Sequence, residues 1–303
     1  MEDVWGSPIW IYLWLAGMGG GAYFTAFLAH RFSGGVHKSL LKIATYLAVP
    51  LAGLGVLLLI IDLGRPLRFW RLMTKFDFVS AMSIGTWILS AFVALCVVLI
   101  ALWWWTERSK DGHPKEKGIL HKTAEVLSWI NLGMAVLLIT YTGVLLASSS
   151  QVLWSGTLLL PPLFVVSAIS TGAAILIVTS IVAGKEKISE SLVTKLSNAD
   201  AIVIVIEMAL IIGFLGWLGI STAAGTTEAM RLLVMDDSVA VVFWIGVVLL
   251  ALLIPLVLEL RYWNHIKENA SIIRRAEITS GVAVMIGGLA LRAVVVTAGQ
   301  ILI

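Results

Sequence analysis

Eight long apolar blocks dominate this chain of 303 residues. A helix rises 1.5 Å per residue, so about 20 apolar residues cross the roughly 30 Å hydrocarbon core of a bilayer. Membrane strands would show short segments of alternating polarity, and these blocks do not alternate. The sequence therefore predicts an all-α membrane protein with eight transmembrane helices, in the blocks Pro8–Ala29, Leu41–Ile61, Ser80–Trp105, Thr123–Ala147, Leu159–Ala183, Ala201–Thr222, Ser238–Leu258 and Ile278–Ile303.

Charged residues are scarce for a chain of this size. They make up 13% of the sequence, against about 25% in soluble domains. An apolar exterior is stable in lipid, which removes the need for a charged surface. The predicted surroundings are a lipid bilayer, and the net charge of +3 does not indicate a nucleic-acid partner.

The basic residues that remain are distributed unevenly between the loops. Fifteen Lys and Arg lie in the loops 31–42, 106–122, 184–200 and 259–277, and five lie in the loops between the other helix ends. We call the first set of loops the basic side and the other the opposite side. The positive-inside rule places the basic side in the cytoplasm and both termini outside.

The connections are short, which predicts one polytopic transmembrane domain over residues 1–303. Two similar segments, Leu67–Phe78 and Glu228–Asp237, follow the second and sixth helices and suit short interfacial helices. Their spacing of four helices suggests duplicated halves, 1–150 and 151–303, forming two four-helix bundles. Small residues at Gly17 and Gly21, and again at 170–174, predict close helix packing.

Three charged residues fall inside or near the ends of the predicted spans: Glu125, Glu207 and Arg292. Charges within a bilayer are costly, so each is a functional candidate. They could form a proton path, or they could pair with a neighbouring helix, and the sequence favours neither. Arg292 lies near mid-depth in the last span, and Glu207 lies six residues into the sixth predicted block, roughly 9 Å deep.

A second set of polar residues lies at one depth near the opposite side. Helical rise places Tyr12, Tyr141, Asp62 and Arg65 within roughly 10 Å of that interface. A lipid-soluble quinone needs hydrogen-bond donors for its carbonyl oxygens and a nearby acid or base for its protons. The same groups would also suit the substrate gate of a transporter.

Two motifs carry a family resemblance. The run DLGRPLRFWRL from Asp62 and the run YTGVLL from Tyr141, with WLAGMGGGAY in the first block, resemble the NrfD/polysulfide reductase membrane-subunit family. The resemblance implies a haem-free, quinone-binding membrane anchor of a respiratory oxidoreductase complex. It assigns Tyr141 to the quinone head, and Asp62 and Arg65 to the acid and base of the second-helix motif. At the family's two first-helix contacts this chain has Ile9 and Tyr12, and only Tyr12 can hydrogen-bond.

The resemblance also implies cofactors and partners. The bound cofactor would be menaquinone or ubiquinone, in a bacterial or archaeal cytoplasmic membrane. The partners would be a ferredoxin-like iron–sulfur subunit and a molybdopterin catalytic subunit, so that this chain would be a non-autonomous subunit. The residues independently predict no metal site, since Cys96 is the single cysteine and all five histidines lie in or beside basic-side loops, where paired haem ligands are not expected.

The segment after the second span predicts where a partner would dock. Arg68, Arg71 and Lys75 are the main cations of the opposite side, and a partner subunit could bind them. Alternatively, they anchor the segment to lipid headgroups. The alternative function for the whole chain is a secondary transporter or ion-translocating subunit, because proline-interrupted spans with intramembrane charges are typical of that class.

Overall fold

The computed structural model of the protein describes residues 6–33, 38–62, 81–108, 114–148, 157–182, 190–221, 226–235, 237–262 and 270–301. Within these ranges the chain is helical apart from turns and helix ends. Eight helices are long and apolar enough to cross a membrane, which confirms the all-α, eight-span prediction. The helices are α1 Ser7–Phe32, α2 Lys38–Asp62, α3 Ala81–Arg108, α4 Pro114–Ala147, α5 Leu160–Val182, α6 Glu190–Ile220, α7 Thr226–Val234, α8 Asp237–Val241, a π-helical segment Val242–Leu253, α9 Ile254–Tyr262 and α10 Ala270–Ile301.

Three helices begin well before the apolar blocks that predicted them. α4 begins at Pro114, α6 at Glu190 and α10 at Ala270. Hydropathy detects only the part of a helix that matches the hydrocarbon, whereas the backbone hydrogen bonds of a helix continue into water. These helices therefore extend further on the basic side than the sequence predicted.

The spans pack in two groups. In the first bundle, α1 to α4 pack in chain order and α4 also contacts α1. In the second bundle, α5 packs on α6 and α10, and the seventh span (Ser238–Arg261) packs between α6 and α10. α5 also packs on α1 and α4 and so joins the two bundles, and α1 and α5 are more buried than α2. The packing suits two four-helix bundles, while the duplication of residues 1–150 and 151–303 stays a prediction.

Glycines set the contact between the two bundles. A methyl group at Gly21 would overlap the backbone of Ala168 in α5, and one at Gly172 would overlap the backbone of Gly21 and Ala22 in α1. The two helices therefore meet backbone to backbone, as small-residue pairs allow. This confirms the packing predicted for the glycine run of the first span and the small residues of the fifth.

The seventh span is irregular in a way that its proline explains. The π-helical segment ends at Leu253, and α9 begins just before Pro255. Proline has no N–H and its ring clashes with the carbonyl four residues earlier, so the wider π turns relieve that conflict. The segment packs closely on α10, where Gly246 faces Ala290 and Gly287 faces Ala251.

A short amphipathic helix, α7, follows the sixth span. It buries Ala229, Leu232 and Leu233 and leaves Glu228 and Arg231 exposed. A short helix was predicted here from Glu228–Asp237 and is present at Thr226–Val234, while its position in the membrane interface stays a prediction. The corresponding prediction for Leu67–Phe78 lies outside the described residues.

Candidate functional site

Two tyrosines from different helices meet near the opposite side. Tyr12 lies one turn into α1, and Tyr141 lies two turns before the end of α4. Both side chains are buried, with 2% and 7% of their surfaces exposed. Their hydroxyl groups lie within hydrogen-bonding reach of each other. The structure thus brings together two of the residues that the sequence placed at one depth.

Glycines of the neighbouring helices make room for this tyrosine pair. A methyl group at Gly85 in α3 would overlap the Tyr141 ring. A methyl group at Gly55 in α2 would approach Cδ2 of Tyr12 to 3.1 Å. All four helices of the first bundle therefore contribute to the tyrosine site, and its shape depends on two positions without side chains.

The motif after the second span is only partly described. α2 ends at Asp62, seven residues beyond Gly55. Seven residues are close to two helical turns, so the Asp62 backbone lies on the same helix face as Gly55, roughly 10 Å nearer the end. The backbone of α2 therefore continues past the tyrosine site to Asp62, whose side chain lies outside the described part of the structure. The predictions for Arg65, Arg68, Arg71 and Lys75 lie outside the described residues.

Arg292 lies at the junction of α1, α5 and α10 and is fully buried. Its Nη1 donates to the Gly288 carbonyl at 2.8 Å and to Ser167 Oγ at 3.2 Å. The guanidinium lies over the Phe164 ring, 5.4 Å from its centroid. A methyl group at Gly17 would come within 3.0 Å of Nη2, so the glycine run of α1 also accommodates this arginine. Gly17 follows Tyr12 by five residues, about 7.5 Å along the helix.

Glu207 faces Arg292 across Ser167. The Glu207 carboxyl lies beside Ser167 and within electrostatic contact of the guanidinium. Because α6 begins at Glu190, Glu207 is about 26 Å along this helix. Part of that length precedes the apolar block, so the depth of roughly 9 Å in the membrane stays a prediction. Two of the three suspected intramembrane charges form one cluster.

The third, Glu125, lies elsewhere. It is exposed and lines a cavity of about 280 Å³ at the basic side of the first bundle, together with His30, His121, Lys38 and Trp129 among others. The Lys38 ammonium lies 3.4 Å from His121 Nδ1. Within the described ranges, no three His, Cys, Asp or Glu side chains are grouped so that they could hold a metal ion.

The structure also reveals three buried carboxyl groups that sequence reasoning missed. The apolar blocks do not include Asp200, Glu259 and Glu277, so hydropathy assigns these residues to the basic-side loops. In the structure only 2%, 5% and 8% of their surfaces are exposed. They lie inside α6, α9 and α10 because these helices extend beyond the predicted blocks. The sequence contains a signal for one of them, because Asp200 precedes Glu207 by two helical turns and so lies on the same helix face.

Comparisons with known proteins agree with this architecture. The family model described as "Polysulphide reductase, NrfD" matches residues 1–303. A polysulfide reductase polypeptide of Wolinella succinogenes is 29% identical over 306 residues, covering 98% of this chain and 94% of that protein. Protein NrfD of Escherichia coli is 28% identical over 314 residues, with coverage of 98% and 95%. A selenate reductase subunit of Mesobacillus selenatarsenatis is 23% identical over 287 residues, covering 84% and 66%.

These matches confirm the resemblance first seen in the DLGRP and YTGVLL motifs. The family model extends over all eight spans, including the later ones that carried little of that resemblance. The chain therefore belongs to the NrfD family of polysulphide reductase membrane proteins.

Proposed function

We propose that this chain is the quinone-binding membrane anchor of a respiratory oxidoreductase complex. It would exchange electrons between a membrane quinone and an iron–sulfur subunit docked on the opposite side, with a molybdopterin subunit performing the substrate chemistry. Two of its relatives are named as components of polysulfide and selenate reductases, which supports a role as one subunit of a reductase.

The observation that carries the proposal is the tyrosine pair. Two neighbouring phenol groups, buried in an apolar bundle, can donate hydrogen bonds to a carbonyl oxygen that approaches from the lipid. A quinone head has two such oxygens and an apolar ring that suits the surroundings of the pair. When bound, the quinone would supply the two-electron chemistry, and Tyr12 and Tyr141 would orient its head and hold hydrogen bonds to its oxygens.

The remaining predicted site residues have supporting roles in this proposal. Asp62, at the end of α2, and Arg65 would exchange protons with the quinone near the opposite side. Arg68, Arg71 and Lys75 would bind the partner. Glu207 and Arg292 would carry protons deeper in the membrane, and Glu125 is the candidate for the same task in the first bundle. With the basic side in the cytoplasm, the quinone site would face the outside.

One observation favours the alternative of an ion-translocating subunit. The second bundle contains buried carboxyl groups and an irregular, proline-interrupted seventh span, and such features are typical of transporters. The two functions differ in their partners, because a transporter works alone, whereas an anchor co-purifies with redox subunits that contain iron–sulfur clusters.

Replacement of the phenol groups tests the proposal directly. Tyr141→Phe and Tyr12→Phe each remove one hydrogen bond of about 1–1.5 kcal/mol, or more if the partner group is left unpaired. Quinone-linked turnover of the purified complex should fall by about tenfold or more, which corresponds to about 1.4 kcal/mol. The matched control is Tyr46→Phe, because Tyr46 is 51% exposed on α2. Wild-type quinone kinetics in both buried variants would remove the tyrosine pair from the site.

A further inference from the structure

Four buried carboxyl groups form a continuous row through the second bundle. The acid row consists of Glu259 and Glu277 at the basic side, then Asp200, then Glu207. It lies between α6, α9 and α10, with serines of α5 along one flank. Neither the family match nor the names of the relatives assign these residues a role.

The row begins within one or two helical turns of the basic side. Glu259 lies three residues before the end of α9, and its Oε1 accepts a hydrogen bond of 3.1 Å from Ser280. Glu277 lies two turns into α10, beside Ser197 of α6. Asp200 is in electrostatic contact with both of these carboxyl groups.

The row then continues toward the middle of the membrane. Asp200 and Glu207 are seven residues apart on one face of α6, about 10.5 Å along its axis. Ser170 lies beside Asp200, and Ser167 lies beside Glu207. Arg292 ends the row through its hydrogen bond to Ser167. From Glu277 to Arg292 the helix rises about 22 Å, which is most of the hydrocarbon thickness.

A purely structural role would require every buried polar atom of these groups to be paired, and several of these atoms are not. Buried polar atoms in native proteins almost always have hydrogen-bond partners. Within the part of the chain that the structure describes, six buried polar atoms of the row nevertheless have no hydrogen-bond partner. They are Asp200 Oδ1, Glu207 Oε1, Glu259 Oε2, Ser170 Oγ, and Arg292 Nε and Nη2.

The unpaired atoms occur at both ends of the row, at Glu259 and Arg292, and between them at Asp200 and Glu207, so they do not mark a single local misfit. Buried groups with spare bonding capacity are where ordered water binds in protein interiors. Carboxyl and hydroxyl groups can both accept and donate a proton, which apolar side chains cannot. The row therefore has the composition and the continuity of a hydrogen-bonded relay.

We propose that the acid row is a proton-transfer path between the basic side and the tyrosine site. The inference rests on the proposed quinone function. Reduction of a quinone to its quinol takes up two electrons, from the iron–sulfur cluster of the partner subunit, and two protons. For each proton delivered to the quinone from the Arg292 end, one proton enters at Glu259 or Glu277, and oxidation of the quinol reverses both flows.

The test uses the complete complex reconstituted in liposomes, with a pH-sensitive dye on each side of the membrane. The variants are Asp200→Asn and Glu277→Gln, with Asp200→Glu as the conservative rescue. The control is Glu228→Gln, because Glu228 is an exposed carboxylate of α7. Quinone affinity is measured separately for every variant by equilibrium binding.

Proton exchange with the basic side, coupled to quinone turnover, should fall by about tenfold or more in Asp200→Asn and Glu277→Gln. Quinone affinity should not change, and Asp200→Glu should recover most of the rate. Wild-type proton exchange in both variants would overturn the path. Loss in Glu125→Gln alone would also overturn it and assign the protons to the first bundle. A turnover that depends on sodium and not on protons would overturn it as well.

The failure of the path and the failure of the proposed function are distinguishable. If the path is wrong, the wild-type complex still binds and turns over quinone. If the proposed function is wrong, the wild-type complex shows neither quinone binding nor quinone-linked turnover. A variant that fails to fold is recognised by its elution in detergent, and Glu259→Gln then replaces it at the same end of the row.

Discussion

The two bundles have similar packing but different polar interiors. The first bundle buries the phenol groups of Tyr12 and Tyr141 near the opposite side, enclosed by glycines. The second bundle buries carboxyl groups from the basic side to mid-depth and one arginine, Arg292, at their end. One interior offers neutral hydrogen-bond donors, and the other offers groups that exchange protons.

Under the proposed function and the proposed proton path, the two bundles would perform separate tasks. A phenol is neutral and can be buried at low cost once it has a hydrogen-bond partner. A carboxyl group or a guanidinium is costly in a bilayer and is retained where it serves a function. The bundles meet at the crossing of α1 and α5, so the Arg292 end of the acid row lies about one and a half turns of α1 from Tyr12.

The largest effect is expected where the two bundles join. Gly172→Leu would place a side chain into the backbone of α1 at Gly21 and Ala22. The helices cannot separate there without losing their packing, so we expect the variant to aggregate. Size-exclusion chromatography in detergent should show no monodisperse peak. The control is Gly216→Leu, which has no atom within 4 Å of its added carbon. A folded, active Gly172→Leu protein would contradict the close crossing.

The second effect concerns the buried charges of the second bundle. Arg292→Gln removes the cation that is in electrostatic contact with the Glu207 carboxyl. Because Ser167 lies between the two side chains, the loss should be below the cost of breaking a direct buried ion pair, about 3–5 kcal/mol. The thermal midpoint in detergent should fall clearly, and the double variant Arg292→Gln, Glu207→Gln should recover part of the loss. The exposed pair Glu228 and Arg231, 4.0 Å apart, serves as the control, with an expected effect below about 1 kcal/mol. Additive losses would show that Glu207 and Arg292 are independent.

The third effect concerns the shape of the first bundle. Gly85→Val would displace the Tyr141 ring without removing its hydroxyl group. Quinone-linked turnover should fall by about tenfold or more, as in Tyr141→Phe. A displaced Tyr141 hydroxyl group would contribute little more to turnover than a missing one. The complex should still assemble, as judged by co-purification of its subunits. Gly133→Val, on an exposed face of α4, should keep full turnover.

The smallest effect is expected at the proposed docking segment. Charge reversal at Arg68 and Arg71 should weaken retention of the iron–sulfur subunit without unfolding the bundles, since exposed charges contribute up to about 1 kcal/mol each. Retention is measured by co-purification at increasing salt. Cross-links from the partner to 108–122 or 185–195 would instead place docking on the basic side. Cysteine accessibility of the two termini would then distinguish a wrong topology from a wrong docking surface.

Much of the fold could be predicted from sequence because hydrophobic length is a direct consequence of bilayer thickness. The eight spans, close helix packing at Gly21 and a short amphipathic helix after the sixth span were all predicted and are present. The helix starts on the basic side were not predictable in this way. On the basic side, polar residues form the first turns of these helices. Hydropathy does not distinguish polar residues in a helix from polar residues in a loop, so it does not show where the helix begins.

The sequence by itself determined the class of this protein and its number of spans, because both depend on the length of apolar sequence within one helix. Only the tertiary structure decided which side chains meet across helices. It joined Tyr12 to Tyr141 and Glu207 to Arg292, and it turned Asp200 from a loop residue into part of a buried row. The physical reason is that the period of 3.6 residues per turn shows which residues share one face of a helix. Which other helix that face contacts is decided by how the helices pack, and this cannot be read from the period.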